Sequence, residues 1–237
     1  MLTLAFETTS DTASVALLSG DRVLGEHRLD QGTRHGVGLV PAVADLLRTN
    51  SLRPADITLV AVSLGPGSFT GIRVGLATAR SFAHFTRSRL IGIPTMDALL
   101  EETPADHSRM GVAIFAGRDR AYGAIYDLTG GKPRTEVEPA LLPVEEWAEK
   151  IRGPAWLAGD CAARYPDLFA AESLTLAPSD SYPPRSSTIA LLALRSLKDP
   201  DLEERAVDPI YLQLPMAKTI LERKRERRDR EADARPQ

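Results

Sequence analysis

Apolar residues in the first part of the chain form short runs separated by turn residues. Leu2–Phe6 and Ala13–Leu18 are two such runs, and Arg22–Leu29 alternates polar and apolar positions after the turn at Ser19–Asp21. Strict alternation and short apolar runs bounded by turn residues are typical of β-strands. The pattern therefore predicts a three-stranded antiparallel meander at the start of the chain.

Helical and strand patterns alternate after the meander. Apolar residues recur at helical spacing across Val40–Leu47, and a helix there tolerates Pro41 if the proline lies in its first turn. Ile57–Leu64 reads as a buried strand, Thr70–Phe85 as a long helix and Leu90–Ile93 as another strand. These elements predict a sheet whose later strands are connected by helices.

The same order of elements restarts in the second half of the chain. Val112–Ala116, Ala121–Tyr126 and the segment GGKPRTEVE predict three strands, followed by a helix around Trp147 and a strand at Ala155–Ala158. A helix at about 162–171, a short LTL strand and a helix from Ser187 to Leu197 complete the pattern. A repeat at a spacing of about 110 residues predicts two related α/β lobes. We assign 1–103 to an N-terminal lobe, 104–214 to a C-terminal lobe and 215–237 to a charged C-terminal extension.

Composition excludes several classes of protein. The 237 residues are 43% hydrophobic and 26% charged, as in an ordinary globular protein, and the net charge of −3 provides no general attraction for nucleic acid. The single cysteine, Cys161, and four scattered histidines fit neither a disulfide framework nor a zinc site. No signal peptide and no apolar stretch of about 20 residues is present in the sequence, so we expect a cytoplasmic protein that does not enter a membrane.

The end of the chain is almost entirely charged. Between Glu222 and Arg235 there are seven basic and five acidic residues. Such a mixed run is typical of a solvated helical or disordered extension, and its mixed sign disfavours a strong grip on phosphate. An RNA-binding role remains the alternative.

Leu64–Phe85, LGPGSFTGIRVGLATARSFAHF, is the most informative segment. A strand ends in a Gly-Pro-Gly turn, and Ser68 or Thr70 is placed to cap the helix that follows. A turn between a strand and a helix can bind an anion, although neither the P-loop nor the dinucleotide-binding pattern is present. Tight packing is the favoured reading. If an anion does bind, we expect it to contact Gly67 and Ser68 together with Thr8, Thr9 and Ser10 of the first turn.

The helix of this segment has two apolar faces. Its long polar side chains follow one stripe, at Arg73, Arg80, His84 and Arg87. One apolar face contains Ile72, Leu76, Ala79 and Ala83, and the other contains Gly71, Gly75, Thr78, Phe82 and Phe85. Each glycine costs about 1 kcal/mol relative to alanine inside a helix, so another backbone is expected to approach it. That backbone belongs either to the second lobe or to a separate subunit.

GPGSFTGIRVGLATAR resembles the signature of the TsaB (YeaZ) family. LAFETTSDTASVAL is similar to the opening strands of that family, and His35 with Pro41 is similar to its H-x5-P helix start. GRDRAYGAIYD, PPRSSTIALLAL and DPIYLQL match later landmarks, so the resemblance reaches about Leu214. It implies the two-lobed actin, sugar kinase and Hsp70 fold.

The resemblance also implies a function. Members of the family act in making threonylcarbamoyladenosine at position 37 of tRNA, as subunits without an active site, metal or cofactor of their own. It implies that the protein pairs through its N-lobe helices with a TsaD-like catalytic subunit, that a TsaE-like P-loop ATPase joins the pair, and that tRNA binds indirectly through the complex. It further implies that nucleotide binds at most at a partner interface and that the protein forms a homodimer when the partner is missing. The expected interface residues are Gly71, Arg73, Val74, Gly75, Thr78, Phe82, His35, Val43 and Leu47.

Two residues depart from the family pattern. Glu7 stands where many members have Asp, and Phe115 replaces the acid of an Asp-Ala-x-Arg motif that continues here as Ala116, Gly117 and Arg118. A phenyl ring cannot perform the chemistry of a carboxylate, which argues against catalysis by this motif.

Two other functions are compatible with the residues. A nucleotide-dependent phosphotransferase would use the Thr8–Ser10 turn for phosphates and Glu7, Asp11 and Asp160 around a metal. A tRNA-binding module would use Arg73, Arg80, Arg87 and the basic extension.

Overall fold

Two five-stranded mixed sheets with the same strand arrangement form the framework of the protein. The computed structural model describes residues 1–29, 35–178, 181–197 and 207–212. The first sheet contains β1 (Leu2–Glu7), β2 (Ser14–Ser19), β3 (Arg22–Arg28), β4 (Leu59–Ser63) and β5 (Arg89–Ile93), in the order β3-β2-β1-β4-β5. The second contains β6 (Arg109–Gly117), β7 (Arg120–Asp127), β8 (Arg134–Pro143), β9 (Ala155–Ala158) and β10 (Leu174–Leu176), in the order β10-β9-β6-β7-β8.

The two sheets repeat one topology. β1 pairs antiparallel with β2 and parallel with β4, and β6 pairs in the same way with β7 and β9. In each lobe a meander of three strands is therefore extended by two parallel strands. The two-lobed α/β fold and the internal repeat expected from the sequence are confirmed.

Helices cover both faces of the first sheet. The described helices are α1 (His35–Thr49), α2 (Phe69–Thr86), α3 (Thr95–Glu101), α4 (Val144–Lys150), α5 (Cys161–Arg164) and α6 (Ser186–Ser196). Because side chains alternate along a strand, Leu4 and Phe6 of β1 pack in the core with α1 and α2, whereas Ala5 packs on the opposite face with α6. α1 and α2 thus lie side by side on one face of the sheet.

Each lobe receives a helix from the other half of the chain. Met96 and Leu99 of α3 pack with Met110 of the second sheet, and Ile189 and Ala190 of α6 pack on the first sheet. The predicted boundary at 103/104 therefore separates the sheets but not the helices. The segment 207–212 also joins the first lobe, since the Ile210 N–H donates to the Leu64 carbonyl at 2.8 Å. The predicted extension 215–237 lies outside the described residues.

Two carboxylates hold the start of α6. Glu26 of β3 accepts hydrogen bonds from the Ser186 hydroxyl at 2.7 Å and from the amide and hydroxyl of Ser187 at 3.1 and 2.8 Å. Glu102, which follows α3, accepts from the Arg185 amide and the Thr188 hydroxyl at 2.8 and 2.7 Å. These bonds satisfy polar groups at the N-terminus of α6, where the positive end of the helix dipole also favours negatively charged side chains. They tie the crossing helix to both of its neighbours.

Two helices differ from the sequence expectation. α1 begins at His35, so Pro41 lies in its second turn, and the expectation of a first-turn proline is wrong. Pro41 is exposed on the surface of the helix, and its ring removes one hydrogen bond from the helix interior. α5 ends at Arg164 instead of near residue 171, because Pro166 disfavours a helical conformation at Tyr165.

Candidate functional site

A cleft of about 360 Å³ lies between the two lobes. The first lobe lines it with the turn after β1, at Thr9, Ser10 and Asp11, and with the turn before α2, at Gly67, Ser68 and Phe69. The second lobe contributes Phe115, Ala116, Tyr122, Asp160 and Arg164, and Tyr182 closes one side. The cleft thus combines several polar groups with aromatic rings.

Glu7 lies fully buried behind the first-lobe wall of the cleft. Its Oε1 accepts hydrogen bonds from the amide and the hydroxyl of Thr9, and its Oε2 has no hydrogen-bond partner among the described residues. Burial raises the pKa of this carboxyl to about 7, because desolvation outweighs the hydrogen bonds from Thr9. Glu7 therefore changes its charge near neutral pH.

Asp160 organises the second-lobe wall. Its Oδ1 accepts from the Phe115 amide at 2.8 Å, and its Oδ2 accepts from Arg164 Nε at 2.7 Å. The Arg164 guanidinium then lies 4.6 Å from the centre of the Phe115 ring, in a cation–π contact. Phe115, which stands where the family pattern has an acid, thus packs against the Arg164 guanidinium. Asp160 binds the same guanidinium.

The structure does not favour the candidate anion site. The Ser68 hydroxyl accepts from the Gly71 amide at 3.2 Å, and the Ser68 amide donates to the Thr9 carbonyl at 2.6 Å, so these groups at the helix start already have partners. Thr9, Ser10, Gly67 and Ser68 line the cleft. Thr8 does not, because it lies fully buried beneath α2, and its inclusion in the candidate site is wrong.

The glycines of α2 pack against their own lobe. A Cβ atom at Gly71 would lie 1.9 Å from the Thr8 carbonyl oxygen, and one at Gly75 would lie 2.1 Å from Thr8 Oγ1. A Cβ atom at Gly67 would likewise lie 2.2 Å from the Thr9 carbonyl oxygen. The expectation that Gly71 and Gly75 face a partner is therefore corrected: both face the turn after β1, Gly71 through the Thr8 carbonyl and Gly75 through the Thr8 side chain.

The other expected interface residues divide between core and surface. Val43 and Leu47 are 5% and 4% exposed and pack in the core beneath α1, so they are not available to a partner in this structure. Val74, Thr78 and Phe82 are half-buried and Arg73 is exposed. Arg73 lies over the Phe69 ring, with its guanidinium carbon 5.2 Å from the ring centre. His35 is the first residue of α1.

An uncharged surface remains on the outer sides of α1 and α2. We call it the helix-pair face and define it by Val40 and Ala44 of α1 and by Val74, Ala77 and Ser81 of α2. Val40 is 63% exposed, Val74 is half-buried, and the other three are exposed. Sequence reasoning did not single out Ala44, Ala77 and Ser81, which are exposed on this face. The recurrence of small residues at i and i+4, at Ala77 and Ser81, is the signal that could have found them.

Other groups in the described part of the chain define the chemistry further. Cys161 is buried, and desolvation raises the pKa of its thiol to about 12, so the reactive thiolate is disfavoured. Among the described residues, no group of three or more His, Cys, Asp or Glu side chains is arranged to hold a metal ion. The described helices include none with the length and apolar character required to cross a membrane.

The duplicated mixed sheets, the interlobe cleft and the exchanged helices define a two-lobed α/β protein. A solved structure of YeaZ from Pseudomonas aeruginosa superimposes on this fold with a TM-score of 0.72, covering 89% of this chain and 99% of that one at 24% identity.

The sequence model for TsaD, the tRNA N6-adenosine threonylcarbamoyltransferase, matches residues 25–170, and the chain belongs to this family. It is 27% identical to the Escherichia coli tRNA threonylcarbamoyladenosine biosynthesis protein TsaB, over 90% of this chain and 94% of that protein. It is 26% identical to TsaB of Bacillus subtilis, where the match covers 64% of this chain and 66% of the relative. The resemblance to the TsaB (YeaZ) family is confirmed.

Proposed function

We propose that this protein is a non-catalytic, activating subunit for threonylcarbamoyl transfer to adenosine 37 of tRNA, and that it binds a TsaD-like catalytic subunit through α1 and α2. Kinship with TsaB, the tRNA threonylcarbamoyladenosine biosynthesis protein of other bacteria, supports the pathway. The proposal includes a TsaE-like ATPase as third component, tRNA bound through the complex, and a homodimer when the catalytic subunit is absent.

The helix-pair face is the observation that carries the binding proposal. Its five side chains are small or apolar and carry no charge, while the same two helices also expose charged side chains, at Asp45 and Arg48 of α1 and at Arg73 and Arg80 of α2. An uncharged centre with a charged rim is the usual composition of a protein–protein interface. Small side chains let a second helix approach closely, which suits packing against helices of a related lobe.

The cleft supports a non-catalytic role. Phe115 stands where the family pattern has an acid, and Asp160 is bound to Arg164 and to the Phe115 amide. Asp11 is exposed at the cleft and is the carboxylate best placed to act on a ligand there. The rival function, a nucleotide-dependent phosphotransferase, requires such a group to contact substrate.

The binding proposal is tested by placing a charge on the helix-pair face. Ala77→Glu should weaken co-purification with the catalytic subunit from the same genome by about 100-fold, because a longer, charged side chain would have to be desolvated within the contact. Ala170→Glu, at an exposed position of the second lobe, is the matched control. An intact complex with Ala77→Glu would refute the proposed face.

The non-catalytic role is tested in the reconstituted complex. Asp11→Asn should leave formation of the modified nucleoside unchanged, and the isolated protein should form none from threonylcarbamoyl-AMP and tRNA. Loss of product with Asp11→Asn in an intact complex, or binding of ATP and magnesium with turnover by the isolated protein in calorimetry, would instead support the phosphotransferase.

A further inference from the structure

A shallow groove of about 760 Å³ lies at the C-terminal end of α2, with no lining residue in common with the interlobe cleft and one helical turn beyond Ser81 of the helix-pair face. Arg80, His84 and Arg87 line it together with the apolar side chains of Phe85 and Leu90. We call it the α2-end groove. It combines cationic groups with an exposed aromatic ring, and the proposed catalytic partnership does not account for either.

Phe85 is exposed to an unusual degree. Its relative exposure is 78%, although burial of a phenylalanine side chain contributes about 1.5–3 kcal/mol to stability. The segment that carries it is held firmly: the Arg87 amide donates to the carbonyls of Ala83 and His84, and the Ser88 hydroxyl donates to the Ile57 carbonyl at 2.8 Å. The ring therefore stands on a fixed helix end and can receive a flat partner without reorganisation of the lobe.

Among the described residues around the groove, Arg87 is a positive charge that no carboxylate compensates. Arg80 donates to the Val207 carbonyl at 2.6 Å and lies 3.3 Å from Asp208, so these two charges compensate each other. Asp56, in the nearby single turn of 3-10 helix at Pro54–Asp56, is compensated by Arg53 at 3.0 Å. Within the described residues no carboxylate pairs with Arg87 or His84. A polyanion that approaches the ring thus meets Arg87 and His84 first.

We infer that the α2-end groove binds RNA, with an unpaired base stacked on Phe85 and the adjacent phosphates contacting Arg87 and His84. Aromatic rings flanked by arginine are the standard platform for unstacked nucleotides, because every base has a π-face and every linkage carries a negative charge. The net charge of −3 attracts no RNA to the protein as a whole, so a local patch is required. The inference rests on the proposed function in one respect: the RNA would be the tRNA acted on by the complex.

The test measures RNA affinity of the full-length protein in complex with its catalytic subunit, by fluorescence anisotropy with a labelled tRNA. Phe85→Ala should weaken binding by about 5- to 100-fold, the range for loss of one stacking contact. Arg87→Gln should lower the slope of log K against log salt concentration by about one, as expected for one lost phosphate contact. Phe85→Trp should restore binding, because indole also stacks on a base.

Two control variants remove the same kinds of side chain, one exposed apolar group and one exposed arginine, at positions away from the α2-end groove. Leu168→Ala removes an exposed apolar side chain and Arg152→Gln an exposed arginine, both from the second lobe. Neither should change the affinity for RNA. Unchanged affinity with Phe85→Ala, or an equal loss with both controls, would overturn the inference.

Complex formation is measured on the same variants by size-exclusion chromatography. If Phe85→Ala weakens the protein complex but not RNA binding, the ring contacts a protein and the inference is overturned while the proposed function stands. If the wild-type protein forms no complex with the catalytic subunit, the proposed function fails. In that case, RNA binding is measured with the isolated protein: weaker binding by Phe85→Ala and Arg87→Gln would support RNA binding at the α2-end groove, and unchanged binding would overturn it.

Discussion

Replacing Gly75 with alanine tests the packing of α2 on the turn after β1. The added Cβ would lie 2.1 Å from Thr8 Oγ1, a distance at which atoms must move apart. Overpacking of this kind costs about 1–3 kcal/mol, and the higher helix propensity of alanine returns about 1 kcal/mol. Because 2.1 Å lies far inside van der Waals contact, the upper part of the overpacking range, about 2–3 kcal/mol, applies, and we expect Gly75→Ala to lower the free energy of unfolding by about 1–2 kcal/mol.

Thr8→Ala provides the complementary change. It removes Oγ1, a buried hydroxyl without a hydrogen-bond partner, and leaves the Cβ of residue 8 as the nearest remaining atom, at 3.2 Å from the added methyl carbon. In the Thr8→Ala background Gly75→Ala should therefore be neutral or slightly stabilising. Gly71→Ala is the control, because its Cβ would lie 1.9 Å from the Thr8 carbonyl oxygen, which Thr8→Ala retains.

The assay is urea unfolding followed by circular dichroism on the complete double-mutant cycle. The coupling energy between positions 8 and 75 should be about 1–3 kcal/mol, and that between positions 8 and 71 close to zero. A stable Gly75→Ala single variant, or equal coupling of Thr8→Ala to both glycines, would refute the packing argument.

Two further predictions concern the carboxylates of Glu7, which is buried, and Glu26, which is half-buried. The folded-state pKa of Glu7, about 7, lies above its ordinary value of 4.5, so protonation stabilises the fold; this contribution is complete below the ordinary value and is lost as the pH rises through about 7. Between the ordinary pKa of 4.5 and about pH 7, the free energy of unfolding should fall by about 3 kcal/mol in the wild type but not in Glu7→Gln. Urea unfolding at several pH values measures this. The same dependence of the unfolding free energy on pH in both proteins would contradict the prediction. Glu26→Ala removes the acceptor shared by Ser186 and Ser187 and should lower the unfolding free energy by about 2 kcal/mol, whereas Glu26→Gln, which keeps a carbonyl acceptor, should lose less. Equal losses in the two variants would show that these hydrogen bonds do not hold α6.

The elements of regular pattern were predictable from the sequence. The long helix expected at Thr70–Phe85 is α2, at Phe69–Thr86, and the Ser68 hydroxyl caps it as one of the two expected candidates. The meander and its repetition were also predictable, because strand alternation and helical spacing are properties of neighbouring residues. α5 was predicted too long, since its few small residues carry little periodic signal before Pro166.

The candidate site was less predictable than the fold. Apolar spacing marked Val43 and Leu47 as one helix face, but spacing does not tell whether such a face meets the protein's own sheet or a partner; both residues lie in the core. The exposed positions Ala44, Ala77 and Ser81 have small side chains and contribute little to hydrophobic periodicity. Their position on the helix-pair face becomes visible only once α1 and α2 lie on the sheet.

The sequence by itself determined the two-lobed repeat, the position of α2, and the close approach of a backbone to Gly71, although at Gly75 the neighbour is the Thr8 side chain. Each of these depends on local periodicity or on the conformational cost of a residue type. Only the tertiary structure decided that Thr8 meets those glycines, that α3 and α6 exchange lobes, and that Phe85 stays exposed beside Arg87. Such contacts join residues far apart in the chain, and their energies depend on which surfaces meet in space.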